Sequence, residues 1–292
     1  MDDDALYLAV IDGGSFRAAA LASGLDPSRV SRRIAALEDR LGVKLLNRTT
    51  RASSATQAGL RYAEGVRRLK EARAALLAEV TGGQDMPSGR LRVTAPTDFG
   101  ARFIAPVLSQ MAQEFPNLSV DFRLGSAQAD LLAEGIDVAI RIGQLTDSTL
   151  TARRIGVSRR VLVAAPELAK TITSPGDLSH INIIPYRTGI TDMRIELELD
   201  GVADEIRMPC RFCVNSMSAV REAVLAGHGV HLGPEWTFDE DLKAGRVVSV
   251  VPGAKFSAFP IHAVWSPTPF QPAASRVFVQ RSISVLRNKG LS

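Results

Sequence analysis

The stretch of residues 15–51 constrains this chain more than any other part of it, because it carries the start, stop and spacing signals of two short helices joined by a tight turn. Ser15 suits the cap of the first helix, and the run of alanines that follows is small enough for a second helix to cross closely. Gly24 provides the turn, Asp26 is a good N-cap for the second helix, and Pro27 fits its first position. The stretch therefore predicts a helix-turn-helix.

The second helix has two different faces. Its apolar residues recur at helical spacing and are expected to face a core; they are Val30, Ile34, Leu37 and Leu41. At about 100° per residue, Ser28 and Arg32 project on the opposite side and Arg29 lies on a flank. A slim, cationic, exposed helix face fits the major groove of DNA.

A polar run at residues 48–51 follows the apolar Leu45 and Leu46, which predicts a hairpin wing that presents arginines to phosphates or to a minor groove. In isolation such a run is more often a solvated turn, and its place beside a helix-turn-helix favours the wing. The residues expected to contact DNA are Ser15, Arg17, Pro27, Ser28, Arg29, Ser31, Arg32, Arg33, Arg48, Thr50 and Arg51.

Several segments resemble the LysR-type transcriptional regulators. They are GSFRAAA, SRVSRRIAALEDRLGVKLLNRTTR, TQAG, LRVTAP, DVAIRIG and GHGVHLGPEW. The resemblance covers essentially the whole chain. It implies an α/β protein with an N-terminal winged helix-turn-helix, a long linker helix and a C-terminal two-lobed domain like the type 2 periplasmic binding proteins.

Two residues depart from the pattern of that family. Ser23 stands where an apolar residue is usual before the turn, and Ala55 stands where leucine is usual before the TQAG segment. Neither change touches the groove-facing residues. Both are expected to lower the stability of the small domain, since losing a buried leucine side chain costs about 2–5 kcal/mol where the site cannot collapse.

Composition agrees with a multidomain DNA-binding protein. The 292 residues, 46% of them hydrophobic, can form two or three domains, and residues 13–73 hold thirteen Arg or Lys against five Asp or Glu. The acidic start at Asp2, Asp3 and Asp4 has the wrong charge for a secretion signal, and no apolar run approaches the roughly 18 residues that span a bilayer. We expect a cytoplasmic protein with no membrane partner.

Residues 58–80 are polar and helix-forming with a narrow apolar stripe, which predicts a long linker helix. Pairing with a second copy buries such a stripe, and the resemblance also implies dimerisation here, so we expect a homodimer or a dimer of dimers. The expected domains are 1–58 for DNA binding, 59–89 for the linker helix and hinge, and 90–292 for regulation. The resemblance implies two lobes, lobe I over 90–160 and 266–292 and lobe II over 161–265, with the final strand and helix returning the chain to the first lobe.

Beyond residue 90 short apolar runs alternate with helical stretches, which indicates parallel sheets covered by helices. The expected strands are 91–93, 120–124, 138–142, 161–165, 230–232 and 261–265. The expected helices are 101–114, 127–133, 217–226 and 274–288.

Ligands of α/β sheets bind at the carboxyl ends of strands, often against helix starts that attract anions. Residues of this type follow the strands expected at 91–93 and 120–124 and a further strand expected over the CRFCV segment at 210–214, and Arg141 ends another strand. The expected effector-binding residues are Thr97, Asp98, Phe99, Ser126, Arg141, Asn215 and Ser216. Thr97, Ser126 and Ser216 also suit a purely structural capping role, and Arg141 also suits an ion pair inside its lobe. We expect a small, anionic effector.

The remaining motifs favour no other class of protein. The sequence lacks the dinucleotide-binding, P-loop and zinc-protease motifs. His228 and His231 have no partner at motif spacing and are expected to border a strand in a structural role. We therefore expect no enzyme, cofactor or metal; the alternative is a solute-binding domain or enzyme with a basic N-terminus. Cys210 and Cys213 are expected to be reduced thiols, with a redox sensor as the alternative. The expected partners are double-stranded DNA, a small effector, a second copy of the chain and RNA polymerase.

Overall fold

The computed structural model describes residues 2–48, 53–80, 86–125, 131, 134–145, 149–268 and 271–292. The N-terminal elements are α1 (Asp3–Gly13), α2 (Phe16–Ser23), α3 (Pro27–Leu41), β1 (Leu46–Arg48), β2 (Ser53–Ala55) and α4 (Gln57–Val80). The sequence interpretation placed α2, α3, the hairpin and α4, and it missed α1. The strands β1 and β2 pair antiparallel, as a wing requires.

The predicted caps of the helix-turn-helix are confirmed. The Ser15 hydroxyl accepts a hydrogen bond from the Ala18 N–H at 3.1 Å, and the Asp26 carboxylate accepts one from the Ser28 N–H at 2.7 Å. Gly24 makes the turn with a φ of +66°, a conformation that residues with a Cβ rarely adopt. The angle between α2 and α3 is thus fixed by local signals in the sequence.

The core of this domain lies between α1, α2 and α3. Val30, Ile34 and Leu37 are fully buried there, as expected. Leu41, also expected in the core, is 41% exposed. It is the last residue of α3, and the chain turns at Gly42 with a φ of +68°, so Leu45 closes the core instead.

The two departures from the family pattern occupy tolerant positions. The Ser23 hydroxyl donates to the backbone oxygen of Ala19 at 2.6 Å, so its polar atom is satisfied. Ala55 is only half-buried and pairs with Leu46 across the hairpin. A stability loss at either site stays a prediction, and the geometry favours a small one.

Lobe I of the regulatory domain is a five-stranded sheet in the order β4-β3-β5-β12-β6. Its strands are β3 (Gly89–Ala95), β4 (Leu118–Leu124), β5 (Val138–Ile142), β6 (Thr151–Ser158) and β12 (Phe259–Trp265). Its helical elements are α5 (Thr97–Phe99), a π-helical segment (Gly100–Ile104), α6 (Ala105–Glu114) and α10 (Ala273–Asn288). The apolar faces of α6 and α10 close one core with the sheet.

Lobe II contains a three-stranded sheet in the order β10-β7-β11 and a separate hairpin of β8 and β9. The strands are β7 (Arg160–Ala164), β8 (Asp192–Leu199), β9 (Val202–Pro209), β10 (His231–Pro234) and β11 (Val248–Ser249). The helices are α7 (Pro166–Ala169), a 3-10 turn (Pro175–His180), α8 (Met217–Leu225) and α9 (Glu235–Lys243).

Three expectations for the regulatory domain need correction. The sheets are only partly parallel, because β12 runs antiparallel to β5 and β6, and β7 runs antiparallel to both its neighbours. The lobe boundary expected at 265/266 is too late, because β12 inserts between β5 and β6 and so returns the chain to lobe I by Phe259. The strand expected over the CRFCV segment at 210–214 does not form, because β9 ends at Pro209 and the chain then makes only an isolated bridge at Val214 before α8. Sequence reasoning also missed β6, the β8–β9 hairpin, β11, α7 and α9. Of the predicted helix at 127–133, all but residue 131 lies outside the described residues.

Candidate DNA-binding surface and effector cleft

The outer face of α3 presents the predicted groove-reading residues to solvent. Pro27, Ser28, Arg29 and Arg32 are exposed, and Ser31 is half-buried. Arg17 is exposed on the neighbouring α2. Ser15 is half-buried and its hydroxyl serves the α2 cap, so it lies at the edge of this surface.

Arg33 has a partner within the domain. Its Nη2 lies 2.6 Å from Oδ1 of Asp3, and Arg40 Nη1 lies 3.5 Å from the other oxygen of that carboxylate. The pair joins α3 to α1 and is partly exposed, so it stabilises the domain by about 1 kcal/mol or less. A DNA phosphate at Arg33 would compete with Asp3.

The wing is held to α3 by a buried carboxylate that sequence reasoning missed. Glu38 accepts hydrogen bonds from the backbone N–H groups of Leu45 at 2.8 Å and Leu46 at 3.0 Å, and from Lys44 Nζ at 3.2 Å. Burial alone would raise the pKa of Glu38, but these bonds outweigh it and hold the pKa below its ordinary value. The clue in the sequence is an acidic residue directly after the core residue Leu37.

The position of the wing relative to α4 is fixed by a close backbone approach. A Cβ added at Gly59 would lie 2.0 Å from the Leu45 carbonyl oxygen and 2.5 Å from the Tyr7 hydroxyl oxygen. The Thr56 hydroxyl donates to the Lys44 carbonyl oxygen at 2.7 Å and accepts from the Gly59 N–H at 3.0 Å. The TQAG segment therefore joins the linker helix to the base of the wing. At its tip, Arg48 ends β1, and Thr50 and Arg51 lie outside the described residues.

A cleft of about 610 Å³ lies between the lobes. It is lined by Pro96, Thr97, Asp98, Phe99, Gly125, Ile142, Arg160, Pro185, Tyr186, Arg187, Met193, Asn215, Met217, His231, Leu232, Gly233, Pro234, Trp236 and Phe259. A volume of this order suits a small organic molecule. Most of the lining side chains are apolar, with charged groups at Asp98, Arg160 and Arg187.

The cleft brings together some of the predicted effector residues. Thr97, Asp98 and Phe99 line it from lobe I, and Asn215 lines it from lobe II. Ser216 caps α8, where its hydroxyl accepts from the Ala219 N–H at 3.4 Å. Arg141 lies within β5, paired in register with His262, and is not among the described lining residues.

Ser126 lies outside the described residues. Sequence reasoning missed the lobe II wall, since Arg160, Tyr186 and Trp236 belong to three separate segments.

One side of the cleft is closed by contacts between the lobes. Trp236, at the start of α9, lies edge-on to Phe99 and Phe103 with ring centroids 5.7 and 5.4 Å apart. Arg102 beside them donates to the backbone oxygen of Trp236 and to Asp239 Oδ2, the latter at 2.7 Å. The aromatic cluster and the ion pair set the spacing between the lobes on this side.

His231 forms part of the cleft wall and is neutral at physiological pH. Burial, and next the nearby charge of Arg160, lower its pKa to about 4, while the contact with Ile184 opposes the shift. Its Nδ1 lies 2.7 Å from the Ile184 carbonyl oxygen, so Nδ1 carries the hydrogen and donates. We expected a structural role for His231, and the bond to Ile184 supplies one; His228 does not line the cleft.

Arg160 lies where the chain crosses between the lobes. It begins β7, and its guanidinium carbon lies 4.5 Å from the ring centroid of Phe259, which begins β12. Nη1 donates to the Ser257 hydroxyl at 3.3 Å, and burial lowers the pKa of the guanidinium. Across the cleft, burial and next the charge of Asp98 raise the pKa of Tyr186.

The cysteine pair has the properties of structural thiols. Cys210 is buried, and Cys213 Sγ donates to the Ile190 carbonyl oxygen at 3.1 Å. Burial, followed by the neighbouring Cys213, raises the pKa of Cys210 to about 11. A thiol with so high a pKa is almost fully protonated at neutral pH and reacts slowly with oxidants.

The described residues contain no group of three or more His, Cys, Asp or Glu side chains arranged to hold a metal ion. Among the same residues, no helix combines the length and hydropathy needed to cross a membrane.

Comparison with known proteins decides the family. The model of the LysR substrate binding domain matches residues 84–287, and that of the bacterial regulatory helix-turn-helix protein of the lysR family matches residues 2–60. The chain belongs to the LysR-type transcriptional regulators. The α/β fold with an N-terminal helix-turn-helix and an effector-binding domain is thereby confirmed, as is the expectation of a regulator and not an enzyme.

Relatives of this LysR-type regulator include proteins of both regulatory signs. A transcriptional repressor from Pseudomonas aeruginosa is 35% identical over 89% of this chain and 84% of its own length. The transcriptional activator AaeR from Escherichia coli is 30% identical over 89% and 85%. The solved structure of CrgA, a LysR-type regulator from Neisseria meningitidis, is 25% identical over 97% of both chains, with a TM-score of 0.59. Members of the family bind DNA and small-molecule effectors and form oligomers.

Proposed function

We propose that this regulator reads a two-fold related DNA site with Ser28, Arg29 and Arg32 of α3. The observation that carries the proposal is the exposed, cationic outer face of a helix whose opposite face is fully buried. Arginine can donate two hydrogen bonds to guanine in the major groove. Arg17 and the wing residues Arg48 and Arg51 would contact the phosphates, which position the domain without reading sequence.

The proposed DNA-binding unit is a homodimer formed through α4. This helix has 24 residues and leaves leucines exposed, with Leu69 at 70% and Leu77 at 54% exposure, two turns apart. A second copy of α4 would remove them from water and place two recognition helices on successive turns of DNA. We extend the proposal to a dimer of dimers, and to contact with RNA polymerase, because a regulator acts by changing how polymerase uses a promoter. The proposed site of action is the bacterial cytoplasm, where the promoter lies.

The proposed signal is a small anionic effector bound in the cleft between the lobes. The structure moves the support for this proposal away from Arg141 and toward Arg160 and Arg187, which line the cleft. Because β6–β7 and the start of β12 cross between the lobes beside Arg160, a ligand there would bias the angle between them. Coupling of this kind is usually about 1–3 kcal/mol, enough to change promoter occupancy several-fold.

Base reading by α3 can be tested by comparing Arg32→Ala with Arg287→Ala. The second variant removes the same charge from an exposed position near the end of α10. Arg32→Ala should weaken operator binding by about 1–3 kcal/mol and random-DNA binding much less. Arg287→Ala should leave both affinities unchanged. Equal losses on operator and random DNA would contradict the assignment of Arg32. Arg51→Ala should weaken binding evenly across sequences and reduce the salt slope by about one.

A further inference from the structure

The wall of the cleft contains buried polar atoms without a hydrogen-bond partner among the described residues. They are Nε of Arg160, Nε2 of His231 and Nε1 of Trp236. Buried polar atoms in native proteins are nearly always paired, and an exception calls for a ligand, a water molecule or a functional reason. Three exceptions on one cavity indicate the positions where a ligand completes the hydrogen bonding.

His231 requires a donor on that ligand. Its side chain is almost fully buried, at 2% exposure, and Nδ1 is committed to the Ile184 carbonyl oxygen. In the neutral ring Nε2 is therefore a lone-pair acceptor. A Cβ at Gly233 would lie 2.0 Å from Nε2, so only glycine lets the ring pack this closely against the backbone there, and both residues line the cleft. The donor should be uncharged, because Arg160 already brings positive charge close to His231.

Arg160 favours an anionic group on the ligand, in addition to the negative charge of Glu196 nearby. Its contacts with Ser257 are long, at 3.3 and 3.4 Å, and engage only Nη1, so Nε and the other amino group remain for a planar carboxylate. Arginine binds carboxylates through two parallel N–H groups, a geometry that a lysine lacks. Stacking on Phe259 fixes the plane of the guanidinium and so pre-orients it.

The rest of the cleft requires an apolar body. Phe99, Trp236 and Phe259 present aromatic rings, and Met193, Met217 and Leu232 add flexible or branched apolar surface. Aromatic rings pack favourably against rings and methionine sulfur. The cleft of about 610 Å³ is large enough for a substituted ring with a short side chain.

We propose, building on the effector-binding function above, that the ligand is an aromatic monocarboxylate that carries a hydroxyl group, with its carboxylate on Arg160 and its hydroxyl donating to Nε2 of His231. Arg160 and His231 are then the residues that determine specificity. Asp98, on the opposite wall, adds to the selection by repelling a second carboxylate.

The test measures binding to the full-length protein by calorimetry and thermal shift. The probes are benzoate, phenylacetate and 3-phenylpropionate, each carrying a hydroxyl at ring position 3 or 4. Each hydroxy acid is compared with its O-methyl ether and with its amide. L-tyrosine supplies the 4-hydroxyphenylpropionate skeleton with an added ammonium. At least one hydroxy acid should bind ten-fold or more tightly than its own ether and its own amide. If that acid is 4-hydroxyphenylpropionate, it should also bind ten-fold or more tightly than tyrosine.

Protein variants assign the two contacts. Arg160→Gln should abolish the preference for acid over amide, and Arg160→Lys should restore part of it. His231→Phe should abolish the preference for hydroxyl over ether; if that variant does not fold, the ligand pairs give the same information on the native protein. Ethers, amides or tyrosine that bind as well as the hydroxy acids would overturn the proposal.

The same preparation is assayed for sequence-specific DNA binding. If it binds a specific DNA site and none of the hydroxy acids binds at millimolar concentration, this inference is overturned and the regulator stands. If it binds DNA without sequence preference but selects a hydroxy acid, the proposed regulatory function fails and the ligand assignment stands.

Discussion

Replacing Glu38 by glutamine should loosen the wing while leaving the shape of the side chain intact. The carboxylate holds two backbone N–H groups and lies 3.2 Å from Lys44. Hydrogen bonds to a charged acceptor contribute roughly 1.5–3 kcal/mol and neutral ones roughly 0.5–1.5. Glu38→Gln weakens two hydrogen bonds and removes one mostly exposed ion pair. The free energy that holds the wing to α3 should therefore fall by about 2 kcal/mol.

Hydrogen exchange at the amides of Leu45 and Leu46 measures this loss directly, because those two N–H groups are the donors. A loss of about 2 kcal/mol corresponds to exchange faster by about 30-fold if the wing opens locally. The DNA affinity of Glu38→Gln should fall as well, since Arg48 is carried by the strand that Glu38 anchors.

Asp39→Asn is the matched control. It removes the same charge from the neighbouring residue, whose side chain is 79% exposed and lies 4.0 Å from Lys44 Nζ without contacting the wing amides, and it should change exchange at those amides and DNA affinity much less. The pKa of Glu38 lies below its ordinary value in the folded state, so its contribution is complete above the unfolded-state pKa. The contribution disappears as the pH falls through the folded-state pKa, and the glutamine variant should lack this dependence. Unchanged exchange at both amides in Glu38→Gln would refute the role of Glu38.

Three further results are expected. Gly59→Ala should destabilise the DNA-binding domain by about 1–3 kcal/mol in urea unfolding, because the new Cβ meets the Leu45 oxygen. Gly65→Ala, whose Cβ would have nothing within 4 Å, should be neutral or stabilising. Equal effects of the two substitutions would contradict the close approach at Gly59. Trp236→Ala should cost about 1–3 kcal/mol in thermal unfolding of the regulatory domain, because the side chain is only half-buried, and no measurable loss would show that the aromatic cluster does not hold the lobes. The pKa of His231 falls from 6.5 unfolded to about 4 folded, so unfolding free energy should drop by about 3 kcal/mol between pH 6.5 and 4, and His231→Gln should lose that slope.

The helix-turn-helix was predictable because its signals are local. Ser15, Gly24 and Asp26 act within a few residues of themselves, and Val30 and Ile34 mark the buried face by spacing alone. Such features depend on backbone conformation and periodicity, which the sequence displays directly. The first helix was missed because its acidic start was interpreted only as evidence against a secretion signal.

The cleft was only partly predictable because its walls come from distant parts of the chain. Thr97 follows β3, and Asn215 was found because a strand was expected before it, although none forms there; Arg160 at the start of β7 and Trp236 at the start of α9 carry no local signal of a shared cavity. The return of β12 to lobe I was expected only from the family resemblance, because it depends on tertiary pairing with β5 and β6. Arg141 was a reasonable candidate by strand position, and its place in β5 beside His262 became evident only from that pairing.

The most direct test of the account is selection of genomic DNA fragments by the purified protein at moderate salt, with excess random DNA as competitor, followed by sequencing. We expect enrichment of a two-fold related site whose half-sites lie on successive turns, and loss of that enrichment in Arg32→Ala but not in Arg287→Ala. Binding that is sensitive to salt but blind to sequence in all three proteins would contradict it.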